Sequence, residues 1–280
     1  MTLRVDPGAF TSCFAKRAFT IEHDLAAHPL LQLDALAELA DALPSDLVEH
    51  HLGDVPLVLP GGVAAGVDES PGAIVRGLES NQCWISLRHV ERVPAYAALV
   101  GAAIDDVAPE VEQREGKISR REGFMFLASR DTVTPVHCDP EHNFLLQLRG
   151  TKRVNVGEFS DPEVLQREME LQHQGGHRNV ATLPDSATEF LLEPGVGIYI
   201  PPDTPHWVTN GPGVTSALSL PFYTPVTARG ELVHSFNGWL RRKGRSPRPP
   251  GQSVNRDRAK ATVVRVRSAT RRLRRSPSAH

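Results

Sequence analysis

Cysteine is scarce in this 280-residue chain: Cys13, Cys83 and Cys138 are odd in number and far apart. That spacing speaks against a disulfide framework or a CxxC-type zinc site, and it fits a reducing compartment, so a cytoplasmic protein is expected. Long apolar runs are missing too, none approaching the ~18 residues of a membrane span, and no membrane contact is expected. The opening MTLRVDPGAF lacks the charged-then-apolar pattern of a secretory leader. No internal repeat is visible. Acid is almost absent from the C-terminal part: from Arg241 onward fourteen Lys/Arg accompany a single acid, Asp257, which leaves the first 240 residues near -15 and the remainder near +13. A basic segment on an acidic body can fold back on it, join two copies or meet a polyanion. It has no aromatic residue beyond Trp239, so base stacking is unsupported and any nucleic-acid contact would be to phosphates.

What is present reads as one sizeable globular domain with appendages, at 40% hydrophobic and 23% charged residues. Leu30, Leu33, Leu36, Leu39, Ala40 and Leu43 recur at helical spacing and predict a helix over about 31–43, stopped by Pro44. "VPLVLP" reads as a short buried strand, "ESPGAIVRGLES" as a helix with Pro71 in its first turn, and "CWISLRHV" as a strand. A single helix is expected from Pro94 through "VPAYAALVGAAIDDVAPEVEQ", and His50-His51 are expected near a helix end. From Gly123 the pattern changes to short strands between Gly/Pro turns, which indicates a β-sandwich or barrel. One insertion, "DPEVLQREMELQHQGGHRN", reads as a short helix and a mobile loop. The expected organisation is an α/β segment over 1–120, a β core over 121–226, a helix over 227–243 and a flexible basic tail over 244–280. The apolar stripe of that helix, around Trp239, can serve a homodimer or pack on its own domain.

The chemistry concentrates in "TPVHCDPEHNFLLQLRGTKRV". Side chains alternate along a strand, so His137 and Asp139 point one way and Cys138 the other, into the core. His206 in "PPDTPHW" supplies a third donor. Two histidines and a carboxylate with open positions form the facial triad of non-heme iron oxygenases, although zinc enzymes use similar ligands. If Gly150-Thr151 makes a two-residue hairpin turn, Asn143, Leu145, Gln147, Arg149, Lys152 and Val154 share one face and Phe144, Leu146 and Leu148 the other. A polar interior row is costly without a ligand, and Lys152 is placed to pair with the carboxylate of an organic acid that chelates the metal. Thr134 falls out of phase with His137 and needs a kink at Pro135 to join them.

These motifs, "TPVHCD", Asn143, Lys152 and "PPDTPHW", resemble the jumonji-C, or cupin-like, branch of the Fe(II)- and 2-oxoglutarate-dependent oxygenases, in particular its asparaginyl hydroxylases, over roughly 123–223. The resemblance implies a mainly β fold, a double-stranded β-helix (cupin or jelly-roll) core with flanking N- and C-terminal helices. It implies Fe(II) on His137, Asp139 and His206, and 2-oxoglutarate held by Thr134 and Lys152 with Asn143 and Ser219 beside it. O2 would be the co-reactant, and a protein side chain or small metabolite would be hydroxylated with release of succinate and CO2. Gln147 and Trp207 are candidates for the substrate pocket.

Blander readings attach to the remaining residues. His142 is expected to face solvent, His173 and His177 to sit in a mobile loop, and Arg149 to be solvated. Two rival functions stay open: a metal-bearing cupin regulator whose Arg-rich tail binds nucleic acid or an acidic partner, and a cupin enzyme that does not use 2-oxoglutarate.

Overall fold

Proline opens five helices, at Pro7, Pro71, Pro94, Pro162 and Pro225, where its missing N–H would have found no intrahelical partner anyway. The structure, a computed structural model, describes residues 2–53, 55–59 and 68–275, the last five of these as backbone only. The chain begins with β1 (Leu3–Arg4), α1 (Pro7–Cys13), β2 (Phe19–His23), α2 (Leu33–Ala42), β3 (Val48–Leu52), α3 (Pro71–Arg76) and β4 (Cys83–Leu87). Helices α4 (Pro94–Asp105) and α5 (Ala108–Glu115) follow. The strand-rich part holds β5 (Phe124–Ala128), β6 (Val133–His137), β7 (His142–Arg149) and β8 (Lys152–Glu158). After α6 (Pro162–Gln172) come β9 (Ser186–Leu192), β10 (Val196–Ile200), β11 (His206–Asn210) and β12 (Thr215–Phe222). Helices α7 (Pro225–Arg241) and α8 (Val254–Arg275) complete the chain.

The strands form an eight-stranded sheet, ordered β1-β2-β10-β7-β12-β5-β4-β3, and a four-stranded sheet, ordered β6-β11-β8-β9. Every pairing between named strands is antiparallel. Leu145, Ile198 and Ala217 of the large sheet meet Val154, Leu192 and Val208 of the small one in an apolar layer. The opposite face of β7, with Phe144, Leu146 and Leu148, packs under the N-terminal helices. Alternation along one strand thus serves two cores. The architecture is the mainly β jelly-roll of a double-stranded β-helix with helices at both ends. Strands β1 to β4 lengthen its large sheet at both edges, so the N-terminal segment is part of the sheet as well as a flank.

Several expectations need correction. The helix from Pro94 is two helices, because Pro109 cannot donate to the carbonyl of Asp105 and its ring crowds that turn. His50 and His51 lie in β3, with His51 stacked on Trp84 at 4.7 Å. "VPLVLP" is irregular over 55–59, where the Leu57 carbonyl accepts from the Val136 amide, and its Pro60 lies outside the described residues. The hairpin at Gly150-Thr151 is absent: β7 pairs with β10 and β12, β8 with β9 and β11, and the chain crosses there from one sheet to the other. His142 is fully buried, held by the Tyr199 hydroxyl at 2.7 Å and Glu115 at 3.0 Å between the rings of Phe14 and Phe222. The segment expected as a flexible tail is ordered over α8, because Ala261, Lys260 and Asp257 are buried and the Arg267 guanidinium lies 4.6 Å from the Trp239 ring on α7. The α7 stripe is therefore covered within the chain.

Candidate metal centre

A β-bulge in β6 gathers the site. His137 pairs with His206 but Thr134 pairs with Val208, so three steps on β6 oppose two on β11. The extra residue lets both Thr134 and His137 face the space between the sheets, and Pro135, with no N–H to leave unpaired, lies within it. Beyond His137 the period of two continues through Asp139, Glu141 and Asn143, all lining the same cavity.

The imidazoles are oriented by the backbone. His137 Nδ1–H donates to the Pro135 carbonyl at 2.8 Å and His206 Nδ1–H to the Thr204 carbonyl at 2.9 Å. Each ring is therefore fixed in the tautomer that leaves Nε2 bare. Both Nε2 atoms stand 3.7 Å from Asp139 Oδ2, and the three donor atoms lie within 4.8 Å of one another. An ion bonded at about 2.0–2.2 Å to each would span those gaps. The other oxygen, Asp139 Oδ1, accepts from Arg178 at 2.6 Å, and the same guanidinium nitrogen donates to Glu141 at 2.9 Å. Burial opposes ionisation of Asp139, but Arg178, His137 and His206 outweigh it and hold the carboxyl down at about 2. Burial and the neighbouring His137 pull His206 down to about 4, so its lone pair is available. Glu141 is pushed up to about 7 by burial and by Asp139. Its second oxygen accepts from the Tyr223 hydroxyl at 3.0 Å.

Lys152, Thr134, Asn143 and Ser219 line the same cavity of about 900 Å3. Ser219 Oγ donates to Asn143 Oδ1 at 2.7 Å, joining β12 to β7. Lys152 is 4% exposed, forms no ion pair among the described residues, and is pulled down to about 7 by burial alone. A buried ammonium without a counter-ion is the mark of a site built for an anion.

Two expected pocket residues lie elsewhere. Gln147 is buried and its side-chain amide donates to the carbonyls of Arg149 (2.6 Å) and Gly150 (3.1 Å), where the chain changes sheet. Trp207 follows His206 on the strand and so turns outward, packing with Val136, Cys138 and Met169 beneath α6. Residues not anticipated include Glu141, Arg178, Tyr223 and the wall of Trp84, Phe124 and Phe126. Glu141 was recoverable by extending the alternation two residues. Arg178 was not: the insertion returns beside β6, with the Cys138 amide donating to the Arg178 carbonyl and the Val180 amide to that of Val136.

Comparison with known proteins agrees with this architecture. Residues 109–228 match the model of the JmjC domain. A Drosophila melanogaster protein, Jumonji C domain-containing protein 5, is 30% identical over 95 residues, covering 30% of this chain and 24% of that protein. The chain thus matches about a quarter of that relative's length. The Escherichia coli protein YcfD aligns over 99% of this chain and 69% of its own, at a TM-score of 0.52 and 19% identity. YcfD solved with cobalt and 2-oxoglutarate, and described as a ribosomal oxygenase, gives a TM-score of 0.51 at 19% identity, covering 99% of this chain and 68% of that one. At that identity the likeness concerns the fold.

Proposed function

We propose that this chain, whose residues 109–228 match the model of the JmjC domain, is an Fe(II)- and 2-oxoglutarate-dependent oxygenase that hydroxylates a protein side chain. The observation that carries this reading is the joint presence, in one cavity, of three convergent metal donors and an unpaired buried lysine. His137, Asp139 and His206 would hold the metal through Nε2, Oδ2 and Nε2. Lys152 and Thr134 would take the distal carboxylate of 2-oxoglutarate, with Asn143 and Ser219 beside it. A metal donor set alone would equally suit zinc chemistry. The buried cation is what favours a dicarboxylate cosubstrate.

When bound, iron and 2-oxoglutarate supply oxygen activation: O2 is consumed, the cosubstrate leaves as succinate and CO2, and one oxygen atom enters a substrate C–H bond. The chain's own contribution is binding and exclusion. The backbone carbonyls of Pro135 and Thr204 accept from Nδ1–H of the two imidazoles and keep both rings aimed, with Nε2 toward the metal position. Arg178 occupies the second oxygen of Asp139, which leaves one oxygen for the metal. The apolar layer of Leu145, Ile200 and Val208 borders the cavity and limits water at its floor.

An extended substrate is favoured by the shape of the cavity. Its wall runs from the buried donors out to Asp46, Glu49 and Arg120, which are exposed. Such a cleft admits a side chain while the rest of a polypeptide stays outside. Among the described residues no helix is long and apolar enough to cross a membrane, and the free cysteines suit a reducing compartment such as the cytosol.

The test is succinate formation from 2-oxoglutarate in air with added Fe(II). Wild type is expected to give slow turnover without substrate, and His137→Ala and Lys152→Ala none. Absence of succinate, together with no rise in melting temperature of the metal-loaded protein on adding 2-oxoglutarate, would sink the oxygenase reading. Turnover that survives Lys152→Ala would refute the carboxylate assignment.

A further inference from the structure

We propose that the cleft between α7 and α8, with the exposed face of α8, binds the phosphodiester backbone of nucleic acid. A cavity of about 320 Å3 opens there, and its lining includes Arg242, Arg267, Ser235, Ser268 and Gln174 but no carboxylate. Guanidinium forks and hydroxyls are the donors that suit phosphate oxygens. The cleft continues onto α8, whose sequence holds nine Lys/Arg and one acid. Arg258 and Arg265 are exposed and seven residues apart, hence on one stripe, and Ser268 lies one turn beyond Arg265.

This positive charge is not spent inside the protein. Among the described residues, Arg241 and Arg256 are the members of the segment from Arg241 onward that pair with a carboxylate, Glu170 and Asp257 respectively. Arg242, Arg258, Arg265 and Arg267 have no such partner there. Docking α8 on α7 therefore holds a row of uncompensated cations in fixed positions, which suits a polymer of regularly spaced anions. A membrane surface is a poorer fit, because among the described side chains the exposed large apolar residues of α8 are the valines Val254, Val263 and Val266 rather than the Trp, Phe and Leu that anchor interfacial helices. The Trp239 ring is already engaged by Arg267, and α8 itself carries no aromatic residue, so contact along α8 is to phosphates and should be indifferent to sequence.

The test is fluorescence anisotropy of a fluorescein-labelled, mixed-sequence RNA duplex with the full chain. Neutralising at least three phosphates predicts an affinity loss on the order of 40-fold between about 50 and 200 mM salt. Combined Arg242→Glu, Arg258→Glu and Arg265→Glu should weaken binding by at least about tenfold and flatten the salt slope, whereas the three matching Arg→Lys changes should keep most of both. His137→Ala should bind as wild type, which separates this surface from the oxygenase reading. If the triple reversal fails to fold, Arg258→Glu alone, on an exposed side chain, should lower the slope by about one. Unchanged affinity and slope in the reversal variants would overturn the proposal. So would better competition by polyglutamate or by phosphatidylserine vesicles than by unlabelled duplex at equal charge.

Discussion

Lys152 shows how much one side chain can report. Its ammonium is pulled from an ordinary 10.5 to about 7 by burial. Between those two values the unfolded chain carries a proton that the folded, cosubstrate-free protein lacks, so stability should rise with pH across that window. Lys152→Met should remove the rise and stabilise the cosubstrate-free protein near neutrality. A dicarboxylate needs the charged form, so its affinity should be level below about pH 7 and fall by up to about tenfold per unit above it, as binding takes up a proton. Calorimetric titration at pH 8 in two buffers of different ionisation enthalpy reads that uptake directly. Zero uptake would mean that Lys152 is not the carboxylate partner. The same residue was legible in the sequence because it stood, with Asn143 and Gln147, in a polar row on the interior of a strand-rich core, which is costly without a ligand. Its neighbour Arg178, which fixes Asp139, was invisible because its position depends on an insertion 39 residues downstream returning to the edge of β6.

At the scale of elements, the short strands after Gly123 were readable from alternation and turn residues. The pairing between them was not. "LRGTKR" has the local form of a hairpin, yet Gly150 is where the chain leaves one sheet for the other, a fact set by partners far along the chain, Ser216 opposite Arg149 and Asn210 opposite Lys152. Gly150 has φ +65°, and a Cβ there would stand 2.5 Å from the Val214 carbonyl oxygen and 3.0 Å from Thr215 Cγ2. Gly150→Ala should therefore cost about 2–4 kcal/mol, from the left-handed backbone and the displaced β12 entry. Gly213→Ala, which would meet nothing within 4 Å, should stay within about 0.5 kcal/mol of wild type. Urea unfolding of the two variants checks the pair, and equal stabilities would mean that the crossing tolerates a hairpin-like backbone. The bulge at Pro135 belongs to the same class of feature. A proline out of phase with its strand marks an irregularity, and the ladder to β11 decides which side chains it turns inward.

For the whole molecule, charge is divided between an acidic body and a basic C-terminal segment, and mutual attraction is the obvious explanation for their association. The contacts argue otherwise. Lys260 Nζ donates to Asn237 Oδ1 at 2.6 Å and to the Arg248 carbonyl at 3.0 Å, and Arg267 rests on Trp239. Ala261 is buried in the same interface. Neutral acceptors and packing hold α8, so screening should matter little. Amide hydrogen exchange across Val254–Arg275 is expected to change less than about twofold when ionic strength is raised from about 0.05 to 0.5 M, a range over which the screening length falls well below the size of the domain. Lys260→Ala leaves the buried Asn237 oxygen without its donor, a loss of about 1–3 kcal/mol, and should speed exchange in α8 by roughly ten- to a hundredfold while the core strands stay protected. Protection that collapses with salt, and is untouched by Lys260→Ala, would show instead that the basic helix is held by the body's negative field. Its arginines would then already be engaged rather than available to a partner.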